Sequence, residues 1–333
     1  MSQSPEQPHN PEQEFDSTEQ QGIDQTPVQR GEVLASQIKD LQSKAQTKED
    51  YLAIESKIKE LRSLFTPETS ETVDIQEATT TPEKAKEIMG KYFFGIEAFK
   101  HTFRLDGGMP DKFKKVPYSE AQLEQAKQNG EMLVLRNSLN SGSSTMLEVY
   151  ERFAKVYNEA DGYILYDLQY YHDEEIFKKQ PIREGWALVS KDVIEGSTSK
   201  NYIDQTATLR DYLKGLDSIS ADELAECTDE KLDEIRDFLR LFPTSTIYST
   251  KVHELKINQN HRRNPAEALY DFAIRFKNTP FKERMLENDF DWTNSCDSDG
   301  ALVCFGTTDF DGAYMKGLSL ESVGNHTGVV SVR

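Results

Sequence analysis

Apolar positions recur at helical spacing through most of the chain up to Lys277, and then give way to short alternating runs. Leu34, Ile38, Leu41 and Ala45 follow a 4-3-4 spacing, and Tyr51, Ile54, Ile58, Leu61 and Phe65 a 3-4-3-4 spacing. These intervals predict an amphipathic helical pair over 32–65. Each run spans about two heptads, fewer than a coiled coil needs. The segment therefore reads as a weak oligomerising stalk, a helical hairpin or a pair packed on a body. Further along, spacing and caps predict helices over 83–89, 94–103, 119–128, 144–156, 173–178, 202–213, 221–241 and 265–277. Ser119 opens one of them and Gly130 stops it. Leu224, Leu232, Ile235 and Leu239 form one stripe over 221–241, which Pro243 ends. Pro265 after Asn264 opens the last helix, whose apolar face is Ala268, Leu269, Phe272 and Phe276. Runs rich in β-formers predict strands over 131–136, 161–168, 185–190 and 246–252.

From Asp291 to Arg333 small polar, aromatic and turn residues replace Lys, Glu and Leu. Two Asp-x-Asp-Gly units, Asp297–Gly300 and Asp309–Gly312, sit between short apolar runs. Asp-Gly there signals a hairpin, because Gly accepts the positive φ of a tight turn. Leu302–Phe305, Met315 and Val329–Val332 supply the strands of this β cap. The fold class is α+β, a mixed domain ending in antiparallel hairpins.

Composition adds boundaries. Residues 1–31 are rich in Gln, Glu, Pro and Ser, a composition that cannot bury enough surface to order itself, and form a disordered acidic arm. Residues 66–82 read as a linker, and 83–333 as the folded body with its cap at 291–333. The apolar fraction of 36% and the 10% aromatics fit a real core beside a solvated segment. A formal charge of −19 repels phosphate backbones and argues against nucleic acid as partner. No apolar stretch is long enough to span a membrane, and the N-terminus lacks the character of a secretory signal. Three cysteines make no disulfide framework, so a cytoplasmic location is expected.

Little in the chain suits catalysis. The six histidines show no metal spacing. His172, in Tyr-Tyr-His-Asp-Glu-Glu, looks like a capped helical start. No phosphate loop, nucleophile elbow or dinucleotide fingerprint is present. The Asp-x-Asp-Gly units lack the remaining ligands of a calcium loop and read as turns. Cys296 and Cys304 flank the first turn. A two-residue turn would direct them to opposite faces, and a three-residue loop would place them diagonally on one face, the geometry a metal would need. His261-Arg262-Arg263 is the compact basic cluster and reads as a surface loop. No catalytic residue, metal or cofactor is assigned.

Several stretches carry a family resemblance: Phe-Phe-Gly-Ile-Glu at Phe93–Glu97, Glu-Gly-Trp-Ala-Leu-Val at Glu184–Val189 and Ser-Thr-Ser-Lys-Asn at Ser197–Asn201. Trp-Thr-x-Ser-x-x-Ser-Asp-Gly-x-Leu-Val from Trp292 and Gly-Val-x-Ser-x-Arg from Gly328 complete the set. In this order they resemble bacterial target proteins of diversity-generating retroelements, whose C-terminal domain is C-type-lectin-like and similar in layout to formylglycine-generating enzyme. In such proteins an error-prone reverse transcriptase rewrites adenine-rich codons near the end of the gene. The resemblance implies a non-catalytic display protein with a variable, ligand-binding surface at Asn294, Cys296, Asp297, Cys304, Thr307, Phe310, Tyr314, Lys316, Asn325 and His326. It implies a fixed scaffold of Trp292, Leu302, Val303, Gly306, Gly312, Met315, Gly328 and Val330. The partner would be an unidentified protein or small molecule. Strand alternation would hide one face of the sheet and free the other. Two other functions compete: an oxidase like formylglycine-generating enzyme acting through Cys296 and Cys304, and a structural protein forming homo-oligomers through 32–65.

Overall fold

The computed structural model describes residues 79–106, 109–139, 144–157, 162–166, 171–241 and 252–333, together with Val33, Leu34, Ser36, Gln37, Lys39 and Lys57. Contacts divide the chain into two units, Met1–Asp74 and Ile75–Arg333. The six described residues of the first unit are helical and fall within the segment 32–65. The arm over 1–31, the break in the helical pair and most of the linker lie outside the described residues. In the second unit Thr80 already exchanges backbone bonds of 2.9 and 2.8 Å with Val116, so the folded body opens ahead of Glu83.

Thr81 caps helix α1 (Pro82–Met89), and Pro82 stands at the first helical position, where its missing N–H costs nothing. Strand β1 (Phe93–Phe94) leads into α2 (Ile96–Phe103). Ser119 and Gln122 close a capping box on α3 (Glu120–Gln128), and strand β2 (Met132–Arg136) follows. Helices α4 (Met146–Ala154) and α5 (Glu175–Lys179) precede strand β3 (Gly185–Val189). The first sheet has the order β1-β2-β3, parallel then antiparallel. Its open side receives Ser331–Arg333: Leu188 and Arg333 exchange backbone bonds of 2.9 and 3.0 Å, and Val332 donates to the His261 carbonyl.

Helices α6 (Tyr202–Gly215), α7 (Ala221–Glu226), α8 (Asp229–Leu241), α9 (Lys256–His261) and α10 (Pro265–Asn278) fill the middle of the chain. The second sheet closes it, with β4 (Phe290–Cys296), β5 (Leu302–Asp309), β6 (Gly312–Leu318) and β7 (Thr327–Gly328) in the order β6-β5-β4-β7. Both sheets are covered on both faces. Met132 and Val134 of β2 face a central core around α10, while Leu133 and Leu135 face α1 and α3. Val303 and Phe305 of β5 join the central core, whereas Leu302 and Cys304 pack with Trp292, Tyr202 and Leu209 in a second one. Helix α10 is buried from Pro265 to Phe276, on all sides.

Four expectations change. The helix over 221–241 is two helices, because Ser220 with Glu223 and then Thr228 each supply an N-terminal cap, and the second cap interrupts the stripe at Cys227. The helix from 94 begins at Ile96, since Phe93 and Phe94 pair with β2. Of the strand over 161–168, the described residues 162–166 make a single bridge, Leu165 with Ala313. Of 246–252, only Val252 is described, and it is helical.

The largest correction concerns His261-Arg262-Arg263, which is buried rather than a surface loop. Arg262 donates to Asn258 Oδ1 at 2.8 Å and the Trp292 carbonyl at 3.0 Å, and its guanidinium lies 3.9 Å from the centre of the Tyr202 ring. Arg263 meets Asp291 at 2.9 Å and Asp271 at 3.5 Å. Asp271 in turn takes a two-pronged pair of bonds from Arg136, at 3.0 and 2.6 Å. Burial would raise the Glu267 carboxyl, but Arg136 and Arg183 outweigh it and hold its pKa at about 2. Buried charges need such partners, because an unpaired one costs several kcal/mol. The chain Arg136–Asp271–Arg263–Asp291 thus ties β2, α10 and β4 into one unit.

Candidate ligand-binding surface at the end of the second sheet

Both Asp-x-Asp-Gly units form hairpins. In the first, Gly300 donates to the Asp297 carbonyl at 3.0 Å and Asp297 to that of Ala301 at 2.9 Å. The Asp297 carboxylate accepts the N–H groups of Asp299 and Ala301. This is the three-residue loop, and both Cys296 and Cys304 face the second core. Burial holds the Cys296 thiol up at about 12 and Cys304 well above its usual value, which disfavours the thiolate that metal binding or nucleophilic chemistry uses. Cys296 Sγ lies 3.8 Å from His253 Nδ1. Among the described residues no group of three or more His, Cys, Asp or Glu side chains is placed to hold a metal.

The second hairpin sits at the edge of the sheet. The Asp309 carboxylate accepts the Asp311 N–H at 2.8 Å, and Gly312 takes φ +108. A Cβ on Gly312 would come within 2.9 Å of the Leu165 and Tyr166 backbone. That close approach lets residues 162–166 bond along the hairpin: Tyr163 donates to the Phe310 carbonyl, Ala313 to that of Ile164 and Tyr166 to that of Ala313, at 2.9 to 3.0 Å. Four aromatic residues, Tyr163, Tyr166, Phe310 and Tyr314, lie on these bonded stretches. Tyr163 and Phe310 are 66% and 61% exposed. Tyr166 stacks on Tyr314, with ring centres 4.4 Å apart and planes 18° apart. Loss of water together with Asp309 and Asp311 raises the Tyr314 hydroxyl above its ordinary pKa.

Phe290, Gly306 and Tyr314 stand directly opposite one another across β4, β5 and β6. Lys316 places its ammonium 3.7 Å from the centre of the Phe290 ring. Thr307 donates its N–H to the Asp289 carbonyl at 2.8 Å and holds φ +47, which a β-branched residue rarely adopts. His326 Nδ1 lies 3.6 Å from Asp289. Exposed Asn325 sits 3.4 Å from Ser199 Oγ.

The ten candidate positions therefore divide. Phe310, Asn325 and His326 are exposed, and Cys296, Asp297, Thr307, Tyr314 and Lys316 are half-buried. Asn294 and Cys304 are buried and leave the surface set. Asn294 donates to the Gln259 carbonyl, and its backbone N–H to that of Arg263, so it belongs to the frame. The expected one-sided sheet is also corrected: β5 is buried on both faces from Leu302 to Gly306. Exposure comes at the edge strand, its turn and the 319–326 loop. Two surface residues, Tyr163 and Tyr166, went unmarked in the sequence, although tyrosines framing Ile164-Leu165 were a visible signal. Among the described residues no helix is long and apolar enough to cross a membrane. Comparison with protein-family models, with curated proteins and with solved structures yields no match.

Proposed function

We propose that this chain is a non-catalytic binding protein that presents the end of its second sheet to a partner protein. One observation carries the reading: backbone bonds bring Tyr163 and Tyr166, on the segment 162–166, alongside Phe310 and Tyr314 on the hairpin, and Tyr166 stacks on Tyr314. Rigid, exposed aromatics offer wide contact at low entropy cost, as in antibody paratopes. Exposed aromatic side chains of this kind suit contact with a protein surface. The return of Ser331–Arg333 to β3, and a second sheet closing the chain, support a C-type-lectin-like layout. Thr307, Phe310, Tyr314, Lys316, Asn325 and His326 are the positions where rewriting would alter the surface and spare the frame.

Two experiments test the proposal. A library randomised at these six positions and selected on an unrelated protein should yield folded binders whose affinity is lost on reverting Phe310 and Tyr314. Binders whose affinity is indifferent to those reversions would refute the assigned surface. Sequencing the gene's surroundings should find a second copy of its 3′ end, differing at adenines, beside a reverse transcriptase. A locus lacking both would remove diversification and leave only a fixed binding surface.

A further inference from the structure

A cleft of about 220 Å³ lies where the ends of α2 and α10 meet the turn that follows α4. It is lined by Lys100, His101, Arg104, Val156 and Lys277. The volume is below that of drug-sized pockets and suits a compact ion. Three lining side chains are cations and none is a carboxylate, in a chain whose formal charge is −19. Like charges gathered in a cleft draw a counter-anion to it.

Helix ends account for part of the cluster. Lys100 and His101 fall in the last turn of α2 and Lys277 in the last turn of α10, where the helix dipole favours cations. Lys100 also meets exposed Glu97 at 3.1 Å. Arg104 is not explained in this way. It holds φ +50 at the end of α2, a left-handed conformation that favours glycine. The carbonyls it could cap are already served, because Arg152 donates to those of Phe103 and Arg104 at 2.8 and 3.1 Å. The Arg104 side chain is exposed, and its guanidinium has no hydrogen-bond or ion-pair partner among the described residues. His101 adds a second free atom. The amide nitrogen of Asn278 donates to the Thr102 hydroxyl and the Ile274 carbonyl at 2.8 and 2.7 Å, so its oxygen faces His101 Nδ1, at 3.1 Å. Nδ1 therefore carries a proton, and Nε2 is the ring atom left for a ligand.

We propose that this cleft binds a phosphate group, as the free ion or as a small monoester. The three cations match a group that carries about two negative charges and several acceptor oxygens. Arg104 offers the planar fork that fits phosphate, and Lys100 and Lys277 supply point charges beside it. None of the aromatic residues assigned to the partner surface takes part.

The test is calorimetric titration of the full chain, at low ionic strength in a phosphate-free buffer, with inorganic phosphate and with methyl phosphate. Each should bind one to one, and the tighter of the two identifies the free ion or the ester as the form the cleft takes. Chloride at the same concentrations should give no saturable signal. Arg104→Gly should weaken phosphate binding roughly fivefold or more, the loss of one charged contact. Because glycine accepts φ +50, the same variant should keep or raise the melting temperature, whereas loss of a merely structural arginine would lower it. Lys100→Gln should weaken binding several-fold, and Lys127→Gln, on α3 and outside the cleft, should leave it unchanged. In NMR, phosphate should move the His101 Nε2 signal. No binding at millimolar phosphate would overturn the proposal. So would equal saturable binding of chloride, or an Arg104→Gly protein that binds phosphate as tightly as the unaltered chain.

Discussion

From Leu302 to Gly306 strand β5 is enclosed by two cores, whereas the turn that follows it projects Phe310 and leaves Tyr314 half-exposed. These stretches are neighbours in sequence and partners in one sheet. Their difference shows that exposure is set here by where the covering layers stop, not by strand alternation. Cys304 and Lys316 stand opposite each other in adjacent strands, yet one is sealed in the second core beside Trp292 and the other places its ammonium over the Phe290 ring.

The contrast can be broken most severely at the ion-pair chain behind the enclosed stretch. Arg263→Ala should cost about 3–5 kcal/mol in denaturant unfolding, because Asp291 and Asp271 would remain buried beside the gap. A loss below 1 kcal/mol would mean that the frame does not depend on it. Acid should act on the same frame. Burial would raise Glu267 and Glu223, but Arg136 and Arg183 on the first, and hydrogen bonds from His261, Asn260 and Ser220 on the second, hold both pKa values at about 2. A carboxyl depressed in the fold stabilises it above the unfolded pKa of about 4.3. That stability drains as pH falls from there toward about 2, and melting temperature should drop across the same interval. Asp291, which burial raises, works in the opposite direction.

Cys304→Tyr is a change the variable-surface reading would have allowed. It should cost about 1–3 kcal/mol by overfilling the second core. Thr307→Asn should have the opposite sign, a gain of roughly 0.5–1 kcal/mol, since Asn accepts the positive φ that Thr307 strains to hold. Smallest of all, Phe310→Ser should shift stability by about 0.5 kcal/mol or less while removing contact area for a partner. Thermal melts of these three variants would sharpen the boundary between frame and surface.

Much of this arrangement was legible in the chain. Ser119 and Asn264 announced their helices, because a cap acts on backbone three residues away. The Asp-x-Asp-Gly units announced both hairpins for the same local reason. Arg262 and Arg263 misled, since whether a charge lies inside depends on Asp291 and Trp292, which are remote in sequence. Asn294 and Cys304 misled similarly: the helices that cover them, α6 and α9, come from the middle of the chain, and no periodicity in β4 or β5 records their presence.

Ser331–Arg333 lie between β3 and the His261–Arg262 backbone, joined to both. The joint thus brings together three stretches that are remote in sequence, and it can close only once all three are in place. A variant lacking Ser331–Arg333 should leave the edge of β3 and the His261–Arg262 backbone without these bonds. Its opened joint should then be cut by protease faster than the intact fold.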